Sequence, residues 1–342
     1  MKKVWSYIAL LLLSTACVKT PGPDDGGGYD WSVLCGPDPI VFGSNIAEPA
    51  TKAPLPSDTS FGVFAFYQPG VIGGAAGAWG DGSAWTPNFM YNQEVEYDGS
   101  AYTYSPIKYW PNNPENTVTF WAYYPYDDAR IDRFRQSNSS TTYSNEAHNI
   151  PDIQYTTNGH TDFLVSDPVC DQSKHAINSP VSFTFRHAMS LVDFTVRKQD
   201  PGNQFEITLT SIVIKDIYSS GVYNQQLGWI ARLGDKGNLS AYTGSLATSV
   251  TPSSPIGSVI PLPQTLRFSS AKLYVTYTQK LAGDLGDAPV FENQVEIGEI
   301  THIWEKNRHY TYNITINPGN PILFTADVVV WDAEETGYYT FE

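Results

Sequence analysis

A chain of 342 residues with 20 Lys+Arg against 35 Asp+Glu has a formal charge of -15. A surface of that sign repels phosphate backbones and excludes nucleic acid as a partner class. The length suffices for two domains of about 150 residues, each able to bury its own core. Three cysteines exclude a thiolate zinc site, and the six histidines (His148, His160, His175, His187, His302, His309) show no i, i+4 or His-x-His pair, so neither a metal nor another cofactor is expected.

In chain order, Lys2 and Lys3, the apolar run Val4 to Leu13 and the small residues Ser14, Thr15 and Ala16 read as a removable signal peptide over residues 1–16. About ten apolar residues fall short of the ~20 that span a bilayer, and no later stretch comes close. Small residues before Cys17 fit a lipoprotein signal, with the Cys17 thiol acylated (palmitate and related chains) and anchored in outer-membrane lipid. Ser14-x-Ala16 also suits ordinary signal peptidase, which would cut the same bond and leave Cys17 unlipidated. Residues 17–37 then form a flexible tether, since Pro21 to Gly28 is Pro, Gly and Asp and buries no apolar surface. Cys35 and Cys170 are a candidate disulfide in an oxidising compartment; two separate thiols are the equal alternative.

From there the pattern is period-2 alternation and β-rich runs broken by Gly, Pro, Asn and Asp, which predicts an all-β fold of sandwiches. Strands are expected at Ile40 to Asn45, Gly62 to Tyr67 and Val118 to Tyr124, the last forming a hairpin with Tyr102 to Ile107 across the Pro111-Asn112-Asn113 turn. The Gly/Ala-rich stretch Gly70 to Trp85 reads as a long loop, because its spacing matches no phosphate-binding motif. Asp127 to Ser144, with Arg130, Arg133 and Arg135, reads as a solvated segment. Further strands are expected at Val181 to Phe185, Leu191 to Val196, Phe205 to Ile217, Ser258 to Leu262, Leu273 to Thr278, Val290 to Ile297 and His309 to Asn317. The domain boundary falls near 188 to 204, which divides the chain into 38–190 and 191–342.

Catalytic signatures are absent: no carboxylate pair stands out, no G-x-S-x-G elbow occurs, and Cys170 lacks a protease context. A non-enzymatic role is expected. Nine Trp and 22 Tyr suit strands, although Trp31, Trp79 and Trp85 sit in loop-like context and could stack on sugars. At the C-terminus, Ile322, Phe324, Ala326, Val328 and Val330 alternate with Leu323, Thr325, Asp327, Val329 and Trp331. Apolar residues on both faces predict a strand buried between sheets.

An ordered set of motifs resembles the fimbrillin-like (Mfa-like) lipoproteins of Bacteroides-type bacteria, type V pilus subunits or their relatives. These motifs are Ile40-Val41-Phe42-Gly43-Ser44 with Ala50-Thr51-Lys52-Ala53, Phe61 to Tyr67, Phe89 to Gln93, Tyr104 to Pro111 and Phe120 to Tyr126. In the second half they are Asp162-Phe163-Leu164, Phe185 to Ser190, Ile260 to Gln264, and Trp304 before Tyr310-Thr311-Tyr312.

The resemblance implies two tandem transthyretin-like Greek-key β-sandwich domains, export to the outer membrane and cell surface, and incorporation into a fimbrium. The implied partners are other fimbrial subunits, joined by strand exchange, and a host or bacterial surface receptor. Ile40 to Ile46 would be the leaving strand. The donor would lie in 322–342, with Leu323, Phe324, Ala326, Val328 and Val330 as candidate donor residues and Pro318, Gly319 and Pro321 as its pivot. The family's protease cuts after arginine, and no arginine precedes Arg130, so either a different protease cuts at the candidate position Lys52, or the strand stays in place in an unprocessed anchor or accessory subunit. The alternative reading is a glycan-binding outer-membrane lipoprotein.

Overall fold

The computed structural model of the chain describes residues 31–46, 60–70, 87–127, 131–132, 152–173, 180–225 and 228–331. The first half holds a single-turn helix α1 (Trp31–Leu34) and strands β1 (Cys35–Pro39), β2 (Phe42–Ile46), β3 (Ser60–Gln68), β4 (Met90–Tyr97), β5 (Tyr102–Thr103), β6 (Tyr109–Pro111) and β7 (Thr117–Tyr124). Next come β8 (Ile131–Asp132), β9 (Asp152–Thr156), β10 (Leu164–Ser166), β11 (Val169–Gln172) and β12 (Val181–His187). The second half holds β13 (Leu191–Lys198), β14 (Phe205–Asn224), β15 (Gly228–Ala247), β16 (Ser258–Val259), β17 (Gln264–Thr265) and β18 (Lys272–Leu281). It ends with β19 (Val290–Glu296), the short helix α2 (Ile297–Ile300), β20 (Ile303–Trp304), β21 (Arg308–Ile316) and β22 (Leu323–Val330). The all-β expectation holds.

An eight-stranded sheet runs β2-β12-β10-β7-β3-β4-β5, with β11 added on β7. Its central strands β3 and β7 explain their own near-continuous apolar sequence. Phe61, Val63, Ala65 and Tyr67 face one core with Val118, Phe120, Ala122 and Tyr124. The alternate residues Phe64, Phe66, Trp121 and Tyr123 face another. A sheet buried on both faces needs apolar side chains at both parities of the strand.

A four-stranded sheet β16-β13-β21-β22 and a six-stranded sheet β19-β18-β14-β9-β8, extended by β15 on β14, enclose the third core. There Val192, Phe194, Ile212, Ile214, Val275, Tyr312 and Ile314 are all buried. Each fully buried side chain of this size contributes about 1.5–3 kcal/mol.

Two expectations are corrected. Residues 102–111 do not form a hairpin with β7: β5 pairs with β4, and β6 pairs with β1 through Cys35↔Pro111 and Pro39↔Tyr109. The two open edges nearest these short strands took them, leaving β7 to pair with β3, β10 and β11. The strand expected over Phe205 to Ile217 continues to Asn224 and turns back as β15, giving a hairpin with 20 residues in each arm. Its register slips at five places, and Asp216 takes φ +63°, so bulges absorb the twist of so long a ribbon.

The hairpin tip reaches back toward the first half. There β9 pairs with β14 from Ser220↔Thr156 to Tyr223↔Ile153, so residues on both sides of position 190 share one sheet. Tyr223 and the half-buried Trp229 enter the cluster containing Phe64, Trp121, Phe163, Ala188 and Leu262. The Trp229 Nε1 donates to the Ala188 carbonyl at 2.6 Å.

Candidate functional site: two terminal edge strands and the junction between them

At one edge of the eight-stranded sheet, β2 runs parallel to β12 from Phe42↔Val181 to Ile46↔Phe185. Among the described residues it pairs with no other strand. Ile40, Phe42 and Ser44 alternate inward, at 1%, 5% and 9% exposure. The Phe42 ring lies 5.2 Å from Tyr104, 5.6 Å from Phe183 and 5.8 Å from Phe120, and Ser44 Oγ hydrogen-bonds the Tyr102 hydroxyl. The Tyr104 hydroxyl donates to the Ile40 carbonyl at 2.9 Å. Withdrawing β2 would uncover the amides and carbonyls of β12 and an aromatic-walled trench, which are the two requirements of a strand acceptor.

At the edge of the four-stranded sheet, β22 runs antiparallel to β21 from Thr315↔Leu323 to Arg308↔Val330. Ile322, Phe324, Ala326 and Val328 pack half-buried on the core. Leu323 and Val329 stand 56% and 42% exposed, with Thr325 and Asp327 also outward. This corrects the expectation of burial on both faces. Among the described residues no layer covers the outer side of this sheet, where instead Thr195 Oγ1 donates to Asn313 Oδ1 (2.7 Å) and Asn313 Nδ2 donates to Asp327 Oδ2 (2.8 Å). Of the candidate donor residues, Phe324, Ala326 and Val328 share the core-facing side, Leu323 faces solvent, and Val330 is placed by register opposite Arg308. The turn before β22 has Gly319 at φ +76°, and the Asn320 amide donates to the Asn317 carbonyl at 3.0 Å.

Immediately after β22, Trp331 fastens this strand to the first half of the chain. Its ring stacks on His187 with centroids 3.6 Å apart and planes within 7°, and its amide donates to the Asn307 carbonyl at 3.0 Å. His187 Nδ1 is hydrogen-bonded to Asp162, whose carboxyl is pushed up by burial, a rise that His187 partly offsets. Three of the motifs singled out in the sequence meet here. Asp162-Phe163, Arg186 to Ser190 and Ile260 to Leu262 are joined by backbone bonds from Ala188 to Phe163 (3.0 Å) and from Ser190 to Pro261 (3.2 Å). A cleft of about 480 Å³ beside the junction is flanked by the ion pair Arg186–Asp167 (2.8 Å) and the looser Arg308–Glu305 (3.7 Å).

The remaining candidates separate. Cys17 and Lys52 lie outside the described residues, as do Trp79 and Trp85. Trp31 lies in α1. The candidate disulfide is not formed: Cys35 sits on β1 beside β6, Cys170 sits on β11 beside β7, and the two are not bridged. The Cys170 thiol is directed at the Pro168 carbonyl (3.7 Å), and burial, with the charge of Asp171, pushes it up to about 11. Such a thiol is not nucleophilic near neutrality.

A Ser258–Asp193–His309 constellation, which the sequence reading did not find, bridges β16, β13 and β21. Ser258 Oγ donates to Asp193 Oδ1 at 2.5 Å, and His309 Nε2 lies 2.8 Å from Asp193 Oδ2. The carboxylate stands between serine and histidine, so no base reaches the hydroxyl, and the arrangement ties strands together instead of activating a nucleophile. Burial pushes Asp193 up, but the hydrogen bonds from His309 and Ser258 outweigh it and hold the carboxyl below its usual range. Among the described residues, no group of three or more His, Cys, Asp or Glu is arranged to hold a metal.

Comparison with known proteins agrees with this fold. A curated relative, the fimbrium subunit Fim1C of Phocaeicola vulgatus, is 26% identical over 185 residues, 51% of this chain and 46% of the relative. The match thus spans about half the length of that protein. A fimbrial protein from Bacteroides vulgatus superimposes with a TM-score of 0.55 at 15% identity, covering 86% of this chain and 99% of its own. A candidate cell adhesion protein from Bacteroides uniformis does so with a TM-score of 0.50 at 15% identity and the same coverage. These two likenesses show a shared fold. The family model described as fimbrillin-like matches residues 50–331, and the chain belongs to that family.

Proposed function

We propose that the chain is a surface-exposed fimbrial subunit that assembles by β-strand exchange, with a mechanical and adhesive role in place of a catalytic one. The observation that carries this reading is the pair of one-sided edge strands. Among the described residues β2 fills an aromatic trench and pairs with β12 alone, and β22 presents an alternating apolar row behind a Pro-Gly-Asn-Pro turn. In an assembled filament the β22 row of one copy would occupy the trench vacated by β2 of the next. Family membership supports the fimbrial role.

Lipid anchoring at Cys17, placement at the outer membrane and cleavage near Lys52 belong to the same proposal, as does the division into units 38–190 and 191–342. A surface receptor is the remaining proposed partner. The test is electron microscopy of cells expressing the wild type or Phe324→Asp/Val328→Asp. Filaments present in the first and lost in the second, with the subunit still exported, support strand exchange. Filaments formed equally well by the double variant would rule out β22 as the donor.

A further inference from the structure

On the outer side of the six-stranded sheet, four cations gather at one corner. Lys215 on β14 lies directly opposite Lys272 on β18, and like charges in that position weaken a sheet. Lys236, opposite Tyr218 on the β14–β15 ribbon, donates from Nζ to Ser270 Oγ at 2.8 Å. That bond brings it to the loop carrying Arg267. Glu296 on β19 lies directly opposite Lys272 on its other side, and Asp216 and Asp235 adjoin Lys215 and Lys236 in the chain. Among the described residues, none of the four cations forms an ion pair with them or with any other acid.

Three of the four cations each lie over an aromatic ring. Lys215 Nζ lies 3.6 Å from the centre of the Tyr274 ring, Lys236 Nζ 5.5 Å from Tyr218, and the Arg267 guanidinium 4.8 Å from Phe268. Phe268 is 93% exposed and holds φ at +60°, a left-handed conformation that bulky residues avoid. Its loop is fixed from behind. The Leu266 and Arg267 amides both donate to the His302 carbonyl (2.8 and 2.9 Å), and Ser269 closes the turn onto Leu266 (2.9 Å). Gly298 approaches so closely that a Cβ there would sit 2.4 Å from the Leu266 carbonyl oxygen. A ring held in water by a rigid loop, beside four cations that close no salt bridge with their neighbouring carboxylates, on a chain of charge -15, is what a pre-organised recognition surface requires.

We propose that this corner binds an anionic polysaccharide, one bearing sulfate or carboxylate groups. The cations take the anionic substituents, and the face of Phe268 takes the C–H face of a sugar ring. A flat field of ammonium groups lying on tyrosines suits an extended polymer crossing the strands. A bilayer would call for a broader apolar surface than Phe268 provides. The site is separate from the strand-exchange elements. Filaments without polysaccharide binding would overturn this inference and leave the assembly reading standing.

The test measures binding of the full exported chain to immobilised heparin and polygalacturonate, with neutral dextran as control, by surface plasmon resonance. Wild type should bind both anionic polymers and not dextran. Lys215→Ser/Lys272→Ser should weaken binding roughly tenfold or more, and Phe268→Ser roughly severalfold. Lys280→Ser should bind as wild type, since Lys280 lies at the other end of β18 against Glu206 (3.4 Å). All the substituted positions are exposed or half-exposed, and unchanged thermal melting confirms that each variant folds. Undiminished binding by Phe268→Ser would reduce the effect to ion exchange and overturn the proposal. Undiminished binding by the double lysine variant would overturn it too, as would tighter binding to anionic phospholipid vesicles or occupation of the corner by a second copy of the chain.

Discussion

The two terminal strands lie on sheet edges, yet they are held in opposite ways. β2 has five paired positions, and its inward side chains are nearly inaccessible, with Phe42 at 5% and Ser44 at 9% exposure. β22 has eight paired positions and a row of side chains only half covered. Depth fixes β2, whereas β22 is fixed by its ladder and by the Trp331–His187 stack at its end. A strand that seals a trench must fill it. Under the strand-exchange proposal, a strand that leaves its seat to fill another rests shallowly, with its retention concentrated where it can be undone at once.

The largest effect should come from the deep side. Phe42→Ala empties a pocket walled by Tyr104, Phe120 and Phe183, and a buried Phe→Ala costs about 3–5 kcal/mol. Denaturant melts should show that loss, whereas Phe324→Ala on the half-buried row should lose clearly less. Equal losses would erase the distinction between the strands. Next comes the fastening at the end of β22. Trp331→Ala should lower global stability by about 1–2 kcal/mol and raise amide exchange selectively across residues 323–330. Uniform protection there would show that the ladder alone holds β22.

The smallest effect is a pH response of the sheet that carries β22. Asp193 has its folded pKa lowered, mainly by His309 and Ser258 against the pull of burial. Its contribution is therefore present above the unfolded value of about 3.9 and is lost as pH falls through the folded value. Thermal melts should drop below about pH 4 in wild type, and less steeply in Asp193→Asn.

The parts of the fold read correctly from sequence were those whose side-chain pattern had a single physical solution. The runs Phe61 to Tyr67 and Val118 to Tyr124 are apolar at both parities because both faces of β3 and β7 are covered, and no half-exposed strand would tolerate that composition. The same logic misled at β22, where Leu323 and Val329 are apolar but face water. Isolated exposed apolar residues carry no burial information. β15 escaped notice because Gly228, Gly234, Gly237 and Gly244 interrupt any alternation. It is extended because β14 offers a partner along its whole length, so pairing overrides local preference. The junction was legible only through the family motifs, since no local periodicity announces that Asp162, His187 and Leu262 will meet. The cationic corner was not legible at all: Lys215, Lys236, Arg267 and Lys272 are scattered over 58 positions and are assembled by strand register and by the bond from Lys236 to the loop that carries Arg267.

The β14–β15 ribbon has a mechanical consequence. At ~3.3 Å per residue, its 20-residue arms extend about 65 Å at full stretch. The same two strands supply Ile212 and Ile214 to one core and Tyr223 and Trp229 to the cluster shared with β3 and β7. Clusters joined only by a peptide linker would be free to swivel about it, whereas one continuous ribbon packed into both couples them directly. A torque applied to either half passes to the other through the ribbon, as through a splint laid across a fracture.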